Sequence, residues 1–339
     1  MTKTALVTGI TGQDGAYLAK LLLNKGYEVY GGFRRISTPN FWRLDEMNIK
    51  DKVKLTELDI TDQGNISRVL REVRPDEVYN LAAQSFVAAS FKSPILTTQV
   101  TALGVINVLE SIRTVDPGIK FYQASSSEMY GEVQEPVQSE DTPFYPRSPY
   151  GVSKLFGHWI TVNYREAFKI FACSGILFNH ESEMRSLEFI TRKVTDAASK
   201  IKFGKLSHLT VGNIDSQRDW GHATDYVDAM YRMLQHDKPD TYVVATNEAH
   251  TVREFIEIAF SYAGMKIKWE GQGVNEIGID VNKERTVVKI SPEFFRPSEV
   301  NFLQGNYSKA KEYLGWKPTI NFENLVEIMI KKDIERQVK

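Results

Sequence analysis

The chain has a single cysteine, Cys173, among 339 residues, so no disulfide can form within it. Its six histidines are scattered, with no spacing that would gather a tetrahedral metal set. A charge bias is lacking too. The 42 basic side chains stand against 43 acidic ones, for a formal net charge of −1, which gives no electrostatic reason to expect nucleic acid or an anionic membrane as partner. No run approaches the roughly 20 apolar residues of a membrane span. The opening MTKTALVTG reads as a strand and not as a targeting segment. Together these absences point to a small-molecule ligand and to a reducing, cytoplasmic setting.

What is present is a regular alternation. Short apolar runs and stretches of helical period follow one another at 4–8, 17–23, 27–31, 53–58, 66–73, 77–80, 99–112 and 120–125. Strand, helix, strand at this spacing predicts right-handed βαβ units, hence an α/β fold with a doubly wound parallel sheet. The length suggests about two domains. Beyond residue 178 the rhythm loosens: a helix is expected at 190–201 and a strand near Leu209, while 225–234 and 242–245 look like returning core elements. The expected division is therefore interleaved. Residues 1–178 and 221–250 form a dinucleotide-binding domain, and 179–220 and 251–339 a smaller α/β substrate-binding domain.

The first strand runs into Gly9-Ile10-Thr11-Gly12-Gln13-Asp14-Gly15 and then a helix. Glycines at these positions allow a tight turn, close approach of a pyrophosphate and tight helix–strand packing, with the helix N-terminus aimed at the phosphates. The sheet is thus expected to be of Rossmann type. At the end of the second strand, where NAD sites place an acidic residue, the chain has Arg34 and Arg35. Two guanidinium forks there suit the 2′-phosphate of NADP. Asp59 and Ile60 after the third strand offer an adenine clamp, and Leu81, Ala82 and Ala83 after the fourth are small enough for a dinucleotide to lie close.

The reactive groups cluster in two segments. Ser126 and Glu128 follow the fifth strand, and Tyr150 and Lys154 stand four apart on one face of an expected helix. A neighbouring ammonium lowers the pKa of a phenol, making Tyr150 a base for a sugar hydroxyl, while Ser126 hydrogen-bonds the same oxygen. Such a set suffices to oxidise a carbinol. Glu128 adds a carboxyl that can take a proton α to a ketone and protonate a departing hydroxyl, which dehydration requires.

The runs FYQASSSEMYG, EDTPFYPRSPYGVSK, YREAFKIFACSGILFNHES, RDWGHATDYV and FFRPSEV resemble the GDP-mannose 4,6-dehydratase family of extended short-chain dehydrogenases/reductases. The likeness runs from Thr8 to about Trp316. It implies catalytic roles for Ser126, Glu128, Tyr150 and Lys154, and contact of His180 and Arg185 with the nicotinamide end of NADP. It further implies that Ser85, Asn179, Lys193, Arg218, Arg296 and Glu299, with Glu128, hold a GDP-linked hexose or heptose. Homo-oligomers, dimers or tetramers, are implied as well, with Arg34, Arg35 and Arg43 reaching a neighbouring subunit. The chain departs from the family pattern in having Ser126 for threonine, Glu183-Met184-Arg185-Ser186 after the FNHES run, and the bulky Phe41-Trp42-Arg43-Leu44. The implied reaction is redox-neutral loss of water from a GDP-sugar. The alternatives are GDP-manno-heptose as substrate, an epimerase or reductase of the same fold, and a non-catalytic NADP-binding sensor.

Overall fold

The computed structural model describes residues 2–38, 40–295 and 300–338. Seven strands make one sheet in the order Thr241–Val244, Ala172–Leu177, Lys120–Ser126, Glu77–Asn80, Thr4–Thr8, Glu28–Phe33 and Lys54–Glu57. Every adjacent pair is parallel. Because successive side chains in a strand point to opposite faces, each strand feeds two cores. Ala5, Val7, Tyr79 and Tyr122 face the helices Gln13–Asn24 and Ala223–Gln235, packing with Leu18, Leu22, Met230 and Met233. Leu6, Val78 and Phe121 face the other way, onto Ile66, Val69, Val105, Val108 and Leu109 of Gln63–Val73 and Gly104–Val115. That is the expected doubly wound α/β arrangement. Strand order reverses between Thr4–Thr8 and Glu77–Asn80, which opens a crevice at their carboxyl ends.

The second unit is built on helices Ile190–Lys202, Val252–Tyr262 and Phe322–Val338, whose Val194, Ala198, Phe255, Phe260, Leu325 and Met329 share one core. A four-stranded sheet, Ile267–Glu270, Ile277–Asp280, Arg285–Ile290 and Leu209–Val211, covers that core. Buried Asp333 holds the last helix to Ile190–Lys202: it accepts from Arg192 Nε at 2.8 Å, Arg192 Nη2 at 2.7 Å and Thr195 Oγ1 at 2.7 Å. The interleaving is finer than the composition suggests. Val300 and Leu303 pack with Phe178, Val243 and Ala245, and Ala310, Leu314 and Trp316 bury into the core of the large sheet. Trp316 Nε1 donates to Asp225 O at 2.8 Å.

The expectation that no run is long and apolar enough to span a membrane needs amending. Pro94–Val115 is one 22-residue helical run with a window of mean hydropathy 1.4. Half of it is buried inside the protein, and it contains a π-helical stretch, Gln99–Leu103. Val105, Val108, Leu109 and Ile112 of this run pack into the core behind the sheet, while Ile95, Leu96 and Leu103 are exposed.

Candidate active site

The strand ends around the crevice are tied by a chain of side-chain hydrogen bonds. Thr8 Oγ1 donates to Asn80 Oδ1 at 2.8 Å, Asn80 Nδ2 to Gln123 Oε1 at 2.8 Å, and Gln123 Nε2 to Ala124 O at 2.9 Å. Thr8 Oγ1 also accepts from the amides of Leu81 and Ala82, each at 3.1 Å. The first, fourth and fifth strands therefore present their loops in fixed register to a cavity of about 750 Å³, within the range of small-molecule sites.

The glycine loop forms one wall. Gly9 has φ +69°, and a Cβ there would lie 2.9 Å from Ala82 N; a Cβ on Gly15 would lie 2.4 Å from Gly9 O. No side chain caps the helix Gln13–Asn24 that follows. Gly9, Gly12, Gln13, Asp14 and Gly15 line the cavity, so the first turn of the helix faces it, an arrangement that fits a pyrophosphate. Buried Asn179 Oδ1, with no hydrogen-bond partner among the described residues, is a second polar group on the cavity wall able to meet a ligand.

Opposite the loop, Ser148 starts the helix Pro149–Phe168 by accepting from Gly151 N at 3.0 Å, with Pro149 at the first turn. This cap sets the rotation of the helix. Tyr150 and Lys154 consequently share the face that meets Ser126 and Glu128, and all four line the cavity. Gly151 lets the helix approach closely, since a Cβ there would lie 2.7 Å from Glu128 O. Lys154 is buried, and its Nζ donates to Ala124 O at 2.7 Å, 5.8 Å from the centre of the Tyr150 ring.

The charge states correct one expectation. Burial pushes the Tyr150 phenol up to about 12, against the downward pull of a hydrogen bond from Ser126 and the charge of Arg185. Burial likewise brings the Lys154 ammonium down to about 8. Lys154 therefore does not, by proximity alone, bring the phenol toward neutrality. Its ammonium is directed to a carbonyl, and desolvation of a buried phenolate outweighs the charges around it.

The segment after the sixth strand closes the site from the second unit. His180 stacks on Tyr226 with ring centres 4.4 Å apart and bonds Asp14. Arg185 pairs with Glu181 at 3.0 Å and lies over the Phe189 ring at 3.5 Å. The outer part of the cavity carries Ser85, Lys193 and Arg218 among aromatic side chains. Lys193 Nζ sits 3.5 Å from the centre of the Phe294 ring, and Phe86 meets Phe189 edge-on at 5.8 Å. Burial lowers the pKa of Lys193.

The structure thus brings together Gly9, Gly12, Gln13, Asp14, Gly15, Leu81, Ala83, Ser85, Ser126, Glu128, Tyr150, Lys154, Asn179, His180, Arg185, Lys193 and Arg218 around one cavity. Arg34 and Arg35 are exposed beyond its walls. Asp59 Oδ1 accepts from Thr61 N and Thr61 Oγ1 in a local turn, Ile60 is in the core, and Ala82 packs beside that core. Arg296 and Glu299 lie outside the described residues. Arg43 bonds within its own chain, donating to Thr11 O at 2.9 Å and Met184 O at 2.7 Å. The aromatic wall of Phe86, Phe189 and Phe294 was not foreseen as part of the site; Phe294 stands in the quoted FFRPSEV run, the one sequence signal for it. Among the described residues, no group of three or more His, Cys, Asp and Glu side chains gathers to hold a metal.

The sequence model of the family described as GDP-mannose 4,6 dehydratase matches residues 6–329. GDP-mannose 4,6 dehydratase of Drosophila melanogaster is 49% identical over 341 residues, covering 98% of this chain and 86% of its own. GDP-mannose 4,6 dehydratase 2 of Arabidopsis thaliana is 51% identical over 343 residues, covering 98% and 87%. Among solved structures, the NAD complex of UDP-glucose 4-epimerase from Thermus thermophilus superposes with TM-score 0.79 at 25% identity, covering 97% of this chain and 98% of that one. The NAD complex of dTDP-glucose 4,6-dehydratase from Bacillus anthracis superposes with TM-score 0.82 at 19% identity, covering 99% and 98%, a likeness of fold. With a glycine-loop crevice, a Ser/Glu/Tyr/Lys wall and relatives of this closeness along nearly its whole length, the chain belongs to the GDP-mannose 4,6-dehydratase family.

Proposed function

We propose that the protein is a hydro-lyase that converts GDP-mannose to GDP-4-keto-6-deoxymannose and water, holding NADP throughout the cycle. The observation that carries this reading is Glu128 on the same cavity wall as Ser126, Tyr150 and Lys154, since a reductase or epimerase gives that carboxyl no chemical task. A bound nicotinamide supplies the two-electron acceptor for C4 and the donor for C6, leaving no net redox change. Ser126 and Tyr150 hold the sugar O4. Tyr150 takes the O4 proton as phenolate, a form that Ser126 and Arg185 favour and burial resists. The new C4 ketone acidifies C5, from which Glu128 removes a proton. Glu128 also protonates the C6 hydroxyl as the C–O bond breaks, so that it leaves as water, and the proton held by Tyr150 returns to C5 as C6 is reduced. Lys193 and Arg218 neutralise the diphosphate against the aromatic wall. Arg34 and Arg35, exposed after the second strand, would meet a 2′-phosphate, which favours NADP over NAD.

The two packed helical runs Pro94–Val115 and Pro149–Phe168 expose Ile95, Leu103, Val152, Phe156 and Trp159, which supports a homo-oligomeric assembly. Light scattering of the wild type and Trp159→Glu tests this, with a drop in mass expected for the variant.

The decisive experiment follows nucleotide-sugar mass with catalytic NADP⁺ and, in separate reactions, GDP-mannose and GDP-manno-heptose. Loss of one water without net NADPH is expected from GDP-mannose, and Glu128→Gln should abolish it. Turnover of the heptose alone would reassign the sugar. Isomerisation without loss of mass, or stoichiometric use of cofactor, would reassign the reaction.

A further inference from the structure

Gln13 and Asp14 lie in the glycine loop, yet their side chains are engaged across the seam with the second unit. Gln13 Nε2 donates to His180 O at 3.1 Å, and Ser182 Oγ donates to Gln13 Oε1 at 2.7 Å. His180 Nε2 donates to Asp14 Oδ2 at 2.8 Å, while His180 Nδ1 lies 2.8 Å from Phe178 O. A carboxylate and a carbonyl are both acceptors, so the two contacts are made together only when both ring nitrogens carry protons. The imidazole is then a cation beside an anion. Two further bonds close the same seam: Tyr17 OH donates to Glu183 Oε1 at 2.9 Å, and Arg43 bridges Thr11 O and Met184 O.

We propose that Gln13, Asp14, His180 and Ser182 form a clasp that governs escape of the dinucleotide, with Gln13 and Asp14 acting as positioning residues and not as side-chain ligands of the cofactor. The loop that faces the phosphates and the segment that carries Asn179, His180 and Arg185 are opposite jaws of one cavity. A dinucleotide seated between them leaves only after the jaws part, and parting breaks the ion pair and both Gln13 bonds. This rests on the reading that one cofactor molecule is oxidised and reduced within a single turnover, for which early escape would strand the 4-keto intermediate. The groups facing the pair are Arg185 on the 179–185 segment, Arg43 on Trp42–Glu46, Tyr122 on Lys120–Ser126, Tyr226 on Ala223–Gln235, and Tyr150 and Lys154 on Pro149–Phe168. Arg185 opposes the charge on His180, whereas Asp14 and Phe178 O favour it.

The test is the dissociation rate of NADPH from purified protein, read by loss of its fluorescence on chase with excess NADP⁺, with no sugar present. Loss of one neutral hydrogen bond in Ser182→Ala should raise the rate about fivefold, and loss of the charge in Asp14→Asn about 30-fold. The wild-type rate should increase as pH rises through the His180 pKa, which the ion pair with Asp14 holds above its ordinary 6.5, and Asp14→Asn should flatten that dependence. Ser182→Ala keeps the test decisive where Asp14→Asn fails to fold. Wild-type rates in folded Ser182→Ala, or a pH dependence unchanged in folded Asp14→Asn, would overturn the clasp. With sugar present, the variants should release NADPH and 4-keto intermediate together, where the wild type releases neither. Absence of sugar turnover by the wild type would remove the proposed function and leave the dissociation measurement standing on its own.

Discussion

The inner and outer walls of the cavity are built on different principles. On the inner wall nearly every polar group is held by another. Lys154 is pinned to Ala124 O, the three strand ends are linked through Thr8, Asn80 and Gln123, and the glycine loop is clasped to the 180–184 segment. On the outer wall Lys193 lies over the Phe294 ring and Ser85 lines the opening, among aromatic side chains that offer stacking surface. The inner wall suits proton and two-electron transfer, which depend on fixed geometry. The outer wall suits capture of a flat, charged nucleotide, where stacking and charge matter more than register.

The contrast is sharpest in the expected effect of removing Lys154. Lys154→Met should lower kcat by about 10²–10⁴-fold with KM for the sugar little changed, as befits an inner-wall group. In the wild type, activity should gain with rising pH as the Tyr150 phenolate becomes more populated. That gain should end near pH 8, where Lys154 sheds its proton, and the variant should lack the break.

Next in size, Gly9→Ala should destabilise the fold by about 3 kcal/mol in urea unfolding, because it adds a Cβ at a positive φ against Ala82 N. Equal stability of the variant would show that the loop can yield and that the inner wall is less rigid than its bonds suggest.

Smaller again is the acid limb of stability. Burial pushes the Asp14 carboxyl up, but His180 and Gln13 more than reverse this and hold it at about 2, below its ordinary 3.8. The folded state therefore gains about 2 kcal/mol above pH 4, lost as pH falls from about 4 to 2, and Asp14→Asn should remove that dependence in acid unfolding. For His180, burial disfavours the cation, yet Asp14 raises its pKa overall. Its contribution is thus present below its ordinary 6.5 and fades as pH rises through the higher folded value.

The smallest effect is expected on the outer wall. Lys193→Ala should raise KM for the GDP-sugar about tenfold with kcat nearly constant, consistent with loss of one half-buried charge contact. A fall in kcat of the same size would show that the two walls are coupled and erase the distinction.

Much of this was legible along the chain because the signals are local. Alternation of Ala5, Leu6 and Val7 between two cores is the strand period itself, and Tyr150 and Lys154 meet on one helix face because they stand one turn apart. The roles of Asp59, Ile60 and Ala82 were less legible. A strand-end carboxylate can serve a ligand, its own turn or both, and here Asp59 Oδ1 accepts from Thr61 two residues on. The direction of the Tyr150 shift is not legible in the sequence for a related reason: a neighbouring ammonium can be counted along the chain, whereas desolvation depends on everything packed around the ring.

By itself, then, the amino-acid sequence determined the βαβ alternation, the glycine loop and the identity of the Ser126, Glu128, Tyr150 and Lys154 set, since each rests on spacings of a few residues. Only the tertiary structure decided that residues 300–316 return to the first core, that Lys154 points at Ala124 O, and that Gln13 and Asp14 reach over to His180 and Ser182. Those contacts join side chains as many as 169 positions apart, and burial and hydrogen-bond partnership at such separations exist only once the chain has folded back on itself.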